Sequence, residues 1–280
     1  MADPVARLTQ ALTRLDLSQP TPLGRSAVAT VWAVLRPDGS RAVLKLFHRA
    51  DRGNEASGTA YLQAMSRRGA VCILQDDADI VVMEHLAGPS LGDIARHGDE
   101  PGAARLLAEA ASRLHQPPIP QIPGLMPLTS VLSPLLLFDP DTAARGSLRW
   151  NICRARDLAL HLLDTGTGAV PLHGDLHHDN IILTHEGPRV IDAKGYAGDP
   201  AFELSNALRH PRDMADLVRD PRQFRRRIDL FSDALSVDPH RLSNWAAAKC
   251  ALSILWRSDG PPEQDTEQDL LSMFLESGVQ

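Results

Sequence analysis

Between Leu172 and Gly195 the chain reads LHGDLHHDNIILTHEGPRVIDAKG, a stretch dense in oxygen and nitrogen donors at fixed intervals. Asp175, Asn180 and Asp192 supply two carboxylates and an amide. Ile181, Ile182 and Leu183 follow the polar part, His185-Glu186-Gly187-Pro188 reads as a turn, and Val190-Ile191 brings the chain back. Apolar β-branched runs bounded by turn residues predict a buried hairpin. Such a hairpin sets Asp175, Asn180 and Asp192 at one end of two adjacent strands. Donors of this kind suit a hard cation such as Mg²⁺, with one carboxylate left to orient an attacking hydroxyl.

The pattern H-G-D-x-x-x-x-N, followed by Asp192, resembles the catalytic and metal-binding segments of kinases, H-R-D-x-x-x-x-N and D-F-G. Gly174 stands where protein kinases carry arginine, as in the aminoglycoside phosphotransferases. Two longer strings, IDAKGYAGDPAFELSNALRHP and NWAAAKCALSILW, are similar to the aminoglycoside/hydroxyurea phosphotransferases, the group that includes streptomycin 6-kinases. The resemblance runs from about Pro22 to Gly260. It implies an α+β, two-lobed protein-kinase-like fold, with a β-rich nucleotide-binding lobe over residues 1–86 and a mainly helical catalytic and acceptor-binding lobe over 87–280.

The resemblance also implies ATP and Mg²⁺ as cofactors and a small-molecule hydroxyl as acceptor. Phosphoryl transfer depends on positioning and charge neutralisation more than on covalent chemistry. Asp175 would orient and finally deprotonate the acceptor hydroxyl, while Asn180 and Asp192 hold Mg²⁺. Lys45, in AVLKLF, corresponds to the lysine of V-A-I-K that contacts the α- and β-phosphates. Glu55 either caps its helix or pairs with Lys45, and the kinase resemblance favours the pair. Of the glycine-rich loop only Gly24 survives, so Ser26 and Ala27 must give the phosphates room. Glu84, His85 and Leu86 fall where kinases bind adenine through backbone groups. His173 braces the loop. His177, His178 and Asp179 offer further contacts to metal or substrate, but their loop spacing is not a closed zinc set. Lys194, two residues beyond Asp192, has no role that sequence assigns.

Several elements must position these groups. Val5, Leu8, Leu12 and Leu15 predict a helix ended by Pro20 and Pro22. Thr30–Leu35 and Ala42–Phe47 read as strands about Pro37-Asp38-Gly39, and Asn54–Arg68 as a helix stopped by Gly69. Val71–Leu74 and Ile80–Met83 read as two more strands. Beyond Gly88 the pattern is helical, with starts at Glu100, Asp220-Pro221 and Asp238-Pro239. Asp199-Pro200 likewise predicts a helix start, with Asp199 and Glu203 structural. Protein kinases carry a long activation segment here, and its absence favours a small acceptor over a peptide. Arg222, Arg225, Arg226 and Arg227 read as a solvated face, as do Glu263, Asp265, Glu267 and Asp269.

The whole chain sets wider bounds. At 280 residues it can hold two lobes with sizeable cores, and its charge of −6 argues against general nucleic-acid binding. Cys72, Cys153 and Cys250 are far apart in apolar settings, as free thiols in a reducing compartment would be. With neither a signal peptide nor a membrane-length apolar run, a cytoplasmic protein that engages no membrane is expected. Oligomeric state stays open. The leading reading is an ATP- and Mg²⁺-dependent phosphotransferase acting on an aminoglycoside such as streptomycin or a related antibiotic, a cationic acceptor that carboxylates around Asp175 would attract. The alternatives are a metabolic sugar or amino-alcohol kinase and a nucleotide-binding regulatory pseudokinase.

Overall fold

The computed structural model describes residues 4–139, 146–166, 168–260 and 262–277; the ends of the two expected lobes, at residues 1–3 and 278–280, lie outside them. Helix α1 (Pro4–Arg14) packs Leu8, Ala11 and Leu12 on one face of an antiparallel sheet. The strands are β1 (Ser18–Arg25), β2 (Ala29–Leu35) and β3 (Arg41–Phe47), then β4 (Ile73–Asp77) and β5 (Ile80–Glu84), in the order β1-β2-β3-β5-β4. Strand alternation sends Ala42, Leu44 and Leu46 of β3 toward α1. Val43, Lys45 and Phe47 therefore face the opposite side, into a cavity. Between β3 and β4 runs helix α2 (Ala56–Met65), with a 3₁₀ turn at each end and Gly69 closing it at φ 96°. Helix α1 ends at Arg14, before the prolines expected to end it, and Pro20 and Pro22 lie within strand β1. It is an exposed edge strand, and edges tolerate the prolines at 20 and 22.

The chain passes from sheet to helices over residues 85–90. Helix α3 (Leu91–Arg96) starts on a capping box between Ser90 and Asp93, and α4 (Glu100–Leu114) is capped by Asp99. Strand β6 (Met126–Pro127) and two single-turn helices, α5 (Leu128–Val131) and α6 (Ser133–Leu136), lead to α7 (Ser147–Asp164). Next come β7 (Val170–Leu172), the hairpin of β8 (Ile181–Thr184) and β9 (Gly187–Val190), and β10 (Tyr196–Gly198). In the hairpin, Ile181 pairs with Val190, which places Asn180 and Asp192 beside its open end. Strand β10 pairs with β6 and β7.

Asp199 does act as a helix cap, but only for a single 3₁₀ turn over Pro200–Phe202. The remaining helices are α8 (Ala215–Val218), α9 (Pro221–Leu235), α10 (Pro239–Arg257) and α11 (Gln268–Ser277). Helix α10 is the spine of this half: Trp245, Ala246, Ala247 and Leu252 are fully buried, and it packs on α7 and α11. Two solvated-face readings are corrected here. Arg227 is fully buried and donates to the carbonyls of Leu208 and His210 at 2.8 and 2.5 Å. Glu267 leads into α11 and pairs with Arg209 and Arg257 instead of facing water alone. Among the described residues, no helix is long and apolar enough to cross a membrane.

Candidate active site

A cavity of about 500 Å³ opens between the sheet, α2 and the β8–β9 hairpin. Its lining includes Ser26, Lys45, Glu55, Glu84, His85 and Leu86 from the first half of the chain, and Asn180 and Asp192 from the second. Lys45 Nζ lies 3.0 Å from Glu55 Oε2 and 2.7 Å from Asp192 Oδ1, so Glu55 of the first half of the chain and Asp192 of the second share one ammonium. Glu55 is 4% exposed and makes no capping hydrogen bond, so its geometry is that of the pair. Its other oxygen accepts from Lys194 Nζ. Burial opposes ionisation of Asp192, but Lys45 and Lys194 outweigh it and hold the carboxyl below its usual range. The Ser26 hydroxyl is occupied locally, accepting from the amides of Val28 and Ala29 at 3.2 and 3.1 Å. The Glu84 carboxylate accepts from the Cys72 amide at 2.6 Å and from Arg189 of β9, tying the last strand of the sheet to the hairpin.

Helix α2 reaches the Asp192 segment because Gly58 has no side chain. A Cβ there would lie 1.8 Å from the Ala193 carbonyl oxygen. Ser57 adds a hydrogen bond to the Lys194 carbonyl at 2.8 Å. Asp192 itself sits at φ 58°, a left-handed conformation that costs a non-glycine residue roughly 1–2 kcal/mol. His173 secures it from both flanks. The His173 ring Nε2 lies 2.8 Å from the Ile191 carbonyl, and its own carbonyl accepts from the Lys194 amide at 2.8 Å.

The loop carrying Asp175 hangs on a buried carboxylate. Glu203, 1% exposed, accepts from the amides of His173 and Gly174 at 2.9 and 3.2 Å, and its Oε2 lies 2.9 Å from the His115 ring. Gly174 adopts φ 81° and a Cβ on it would come within 2.6 Å of the Tyr196 ring, which accounts for glycine where protein kinases have arginine. Asn180 Nδ2 donates to the Asp175 carbonyl at 2.9 Å, and Asn206 Nδ2 donates to Asp175 Oδ1 at 2.8 Å. Burial raises the Asp175 carboxyl, but His177, Lys249 and Lys194 overcome this and hold it at about 2. His177 is driven to about 3 by burial, so it is uncharged at neutral pH and gains its charge only as the pH approaches the value at which Asp175 itself titrates.

Asp175 lines a second cavity, of about 670 Å³, on the other side of this loop. His177 lines it too, while His178 is wholly buried in neither cavity, with no hydrogen-bond partner on its ring among the described residues. Asp179 braces α3 through Arg96 at 2.9 Å. It also approaches His177 and His210, whose rings stack nearly parallel at 3.7 Å. One ligand atom from each of the three lies within 4.8 Å of the others, but nearly parallel ring planes do not meet, so the in-plane lone pairs of the two imidazoles do not converge on one metal position as the rings stand. The expected acidic surroundings are not what this cavity has. Its carboxylates are Asp175, Asp213 and Glu267, against Arg209, Arg212, Arg219, Lys249 and Arg257. Sequence reasoning left Asn206, Arg209 and Lys249 without a site role. The signal for Lys249 was present, as a lysine in the apolar stripe of Trp245, Leu252 and Trp256.

A β-sheet half and a helical half, with a shared lysine between them and a polar loop beneath, define a kinase-like phosphotransferase architecture. The crystal structure of aminoglycoside phosphotransferase APH(4)-Ia has the same fold, with a TM-score of 0.67 at 16% identity over 99% of this chain and all of that one. The sequence matches the family described as aminoglycoside/hydroxyurea antibiotic resistance kinase over residues 14–260, and the chain belongs to that family. It is 30% identical to a streptomycin 3''-kinase of Klebsiella pneumoniae over 221 residues, 77% of this chain and 79% of that protein. It is 29% identical to a streptomycin 6-kinase of Streptomyces griseus over 264 residues, 90% of this chain and 82% of that protein. The protein is thus a phosphotransferase with an alcohol group as acceptor.

Proposed function

We propose that the protein transfers the γ-phosphoryl group of ATP to a hydroxyl of a small antibiotic of the streptomycin kind. The observation that carries this reading is Lys45 Nζ bridging Glu55 and Asp192 in one cavity, with Asp175 ionised in a second cavity across the same loop. Residues 1–86 then supply most of the nucleotide site, and residues 87–280 the acceptor site.

Lys45 anchors the α- and β-phosphates and Glu55 fixes its direction. The hinge backbone at Glu84–Leu86 faces the base, and Ser26 shapes the turn above the phosphates. The amide oxygen of Asn180 and the carboxylate of Asp192 fit a hard cation, since Lys45 engages only one Asp192 oxygen and Asp175 only the Asn180 nitrogen. Asn180 and Asp192 would hold Mg²⁺, which would supply neutralisation of phosphate charge. Asp175 is too acidic, at about 2, to remove a hydroxyl proton early. It orients the hydroxyl and accepts the proton late, as a loose phosphoryl-transfer transition state permits. Lys194 stays paired with Glu55 while Lys45 turns to the nucleotide.

The test is product mass after incubation with ATP and Mg²⁺ across streptomycin, other aminoglycosides, hydroxyurea and neutral sugars. A mass gain of one phosphoryl group on an antibiotic hydroxyl is expected. Transfer to neutral sugars alone would sink the antibiotic assignment, and nucleotide binding with no transfer to any acceptor would sink the enzyme reading itself.

A further inference from the structure

Helix α10 is buried along most of its length, yet it carries a lysine into the acceptor cavity. Lys249 is 5% exposed and lines that cavity together with Asp175. Its Nζ sits 4.6 Å from the centroid of the Trp256 ring. Among the described residues, no carboxylate lies within ion-pair distance of Nζ and no acceptor is hydrogen-bonded to it. The neighbouring arginines are different. Arg209 pairs with Glu267 at 2.6 Å, Arg257 with Asp265 and Glu267 at 2.7 Å each, and Arg219 with Asp269 at 2.6 Å.

An ammonium taken from water without a partner costs several kcal/mol, and methionine would fill the same space without that penalty. One aromatic face recovers only part of it. Asp175 influences Lys249 but is engaged by Asn206 and lies beyond ion-pair reach. No group of the described residues neutralises Lys249, so a counter-charge can be supplied by what enters the cavity, whose volume of about 670 Å³ holds a sugar-sized ligand. Such a ligand would place an anionic group at Lys249 while its hydroxyl meets Asp175.

We propose that Lys249 is an anion-recognition point, and that the enzyme phosphorylates hydroxylated carboxylic acids whose carboxylate lies near the reacting hydroxyl. This extends the acceptor range beyond cationic amino sugars, and it rests on the phosphotransferase reading given above. The chemistry balances as ordinary transfer: the bond from the γ-phosphorus to its bridging oxygen breaks, the acceptor oxygen bonds to phosphorus, and the hydroxyl proton passes to Asp175. The acceptor carboxylate is a recognition group and does not react.

The experiment compares each acid with its own primary amide, which keeps shape and hydroxyls but removes the charge. Glucuronate with glucuronamide and galacturonate with galacturonamide are suitable pairs. Transfer is measured with ATP and Mg²⁺, and binding by calorimetry with a non-hydrolysable ATP analogue present. The acid should be favoured at least about tenfold, mainly through KM, the scale of a buried charge pair. Lys249→Met should reduce the acid-to-amide ratio to about one, and Lys249→Arg should restore part of it. Equal handling of acid and amide by the wild-type enzyme overturns the proposal. A Lys249→Met variant slowed equally on both also overturns it, because Lys249 would then act on the phosphoryl group. Binding that prefers the acid, with no phosphorylated product from any acceptor including streptomycin, would instead defeat the phosphotransferase reading while leaving the anion site standing.

Discussion

Single residues in this site are tuned by charge more than by shape. Asp175 is held at about 2 even though it is buried, so it stays ionised from neutral pH down to about pH 4. An Asp175-dependent loss of kcat in that window should be small, and an acid limb centred at about pH 5–6 that vanishes in Asp175→Asn would contradict the tuning. Asp175→Asn itself should lower kcat by at least ~10²-fold while nucleotide affinity is kept, as stopped-flow and binding titrations can check. Lys249 is tuned in the opposite sense. Burial lowers its pKa from 10.5 to about 8, and the penalty at neutral pH is roughly 3 kcal/mol. Between about pH 8 and 10.5 Lys249 binds more of its proton in the unfolded chain than in the native one, so its own contribution to stability rises with pH, while the Cys250 thiol, raised by burial to about 12, works in the opposite sense above pH 9. The stability that Lys249→Met gains over the wild type at pH 7, read from urea midpoints, should therefore shrink as pH rises across that window.

Elements are fixed to one another through a few buried polar or close contacts. Glu203 holds two loop amides and His115, all shielded from water. Glu203→Ala should cost about 3–5 kcal/mol and lower the Tm, because the loss strands several donors at once. Gly58→Ala should push α2 off Ala193 and raise the KM for ATP more than that for the acceptor, since Glu55 lies one turn away. How far the sequence reveals this depends on the kind of signal. The hairpin is legible because Ile181–Leu183 and Val190-Ile191 are apolar runs about a turn, and the Asp220-Pro221 and Asp238-Pro239 starts are local capping chemistry. Edge strand β1 is not legible, since its prolines argue for a loop and its only support is pairing with β2. Arg227 and Glu267 mislead for a related reason. Their partners, the Leu208 carbonyl and Arg209, come close only through tertiary packing.

At the scale of the molecule, the cavity proposed for the nucleotide draws its walls from both halves, so a ligand bound there should strengthen their association. A non-hydrolysable ATP analogue with Mg²⁺ at a hundred times its Kd should stabilise the protein by about 2.7 kcal/mol, read as a Tm shift. Asp192→Ala should lose the Mg²⁺-dependent part of that shift. If the shift in the variant equals that of the wild type, Asp192 does not hold the ion.

Strand β1 lies at the open margin of its sheet, with every residue exposed. A bare margin of that kind is a template for another chain, and a cell producing an enzyme in quantity would meet it as aggregation. Pro20 and Pro22 remove two amide donors from the strand, so an incoming strand finds an interrupted ladder. The same prolines that disguise β1 in the sequence therefore act as guards of colloidal stability. Replacing both with threonine should leave turnover intact while light scattering rises at concentrations where the wild type stays clear.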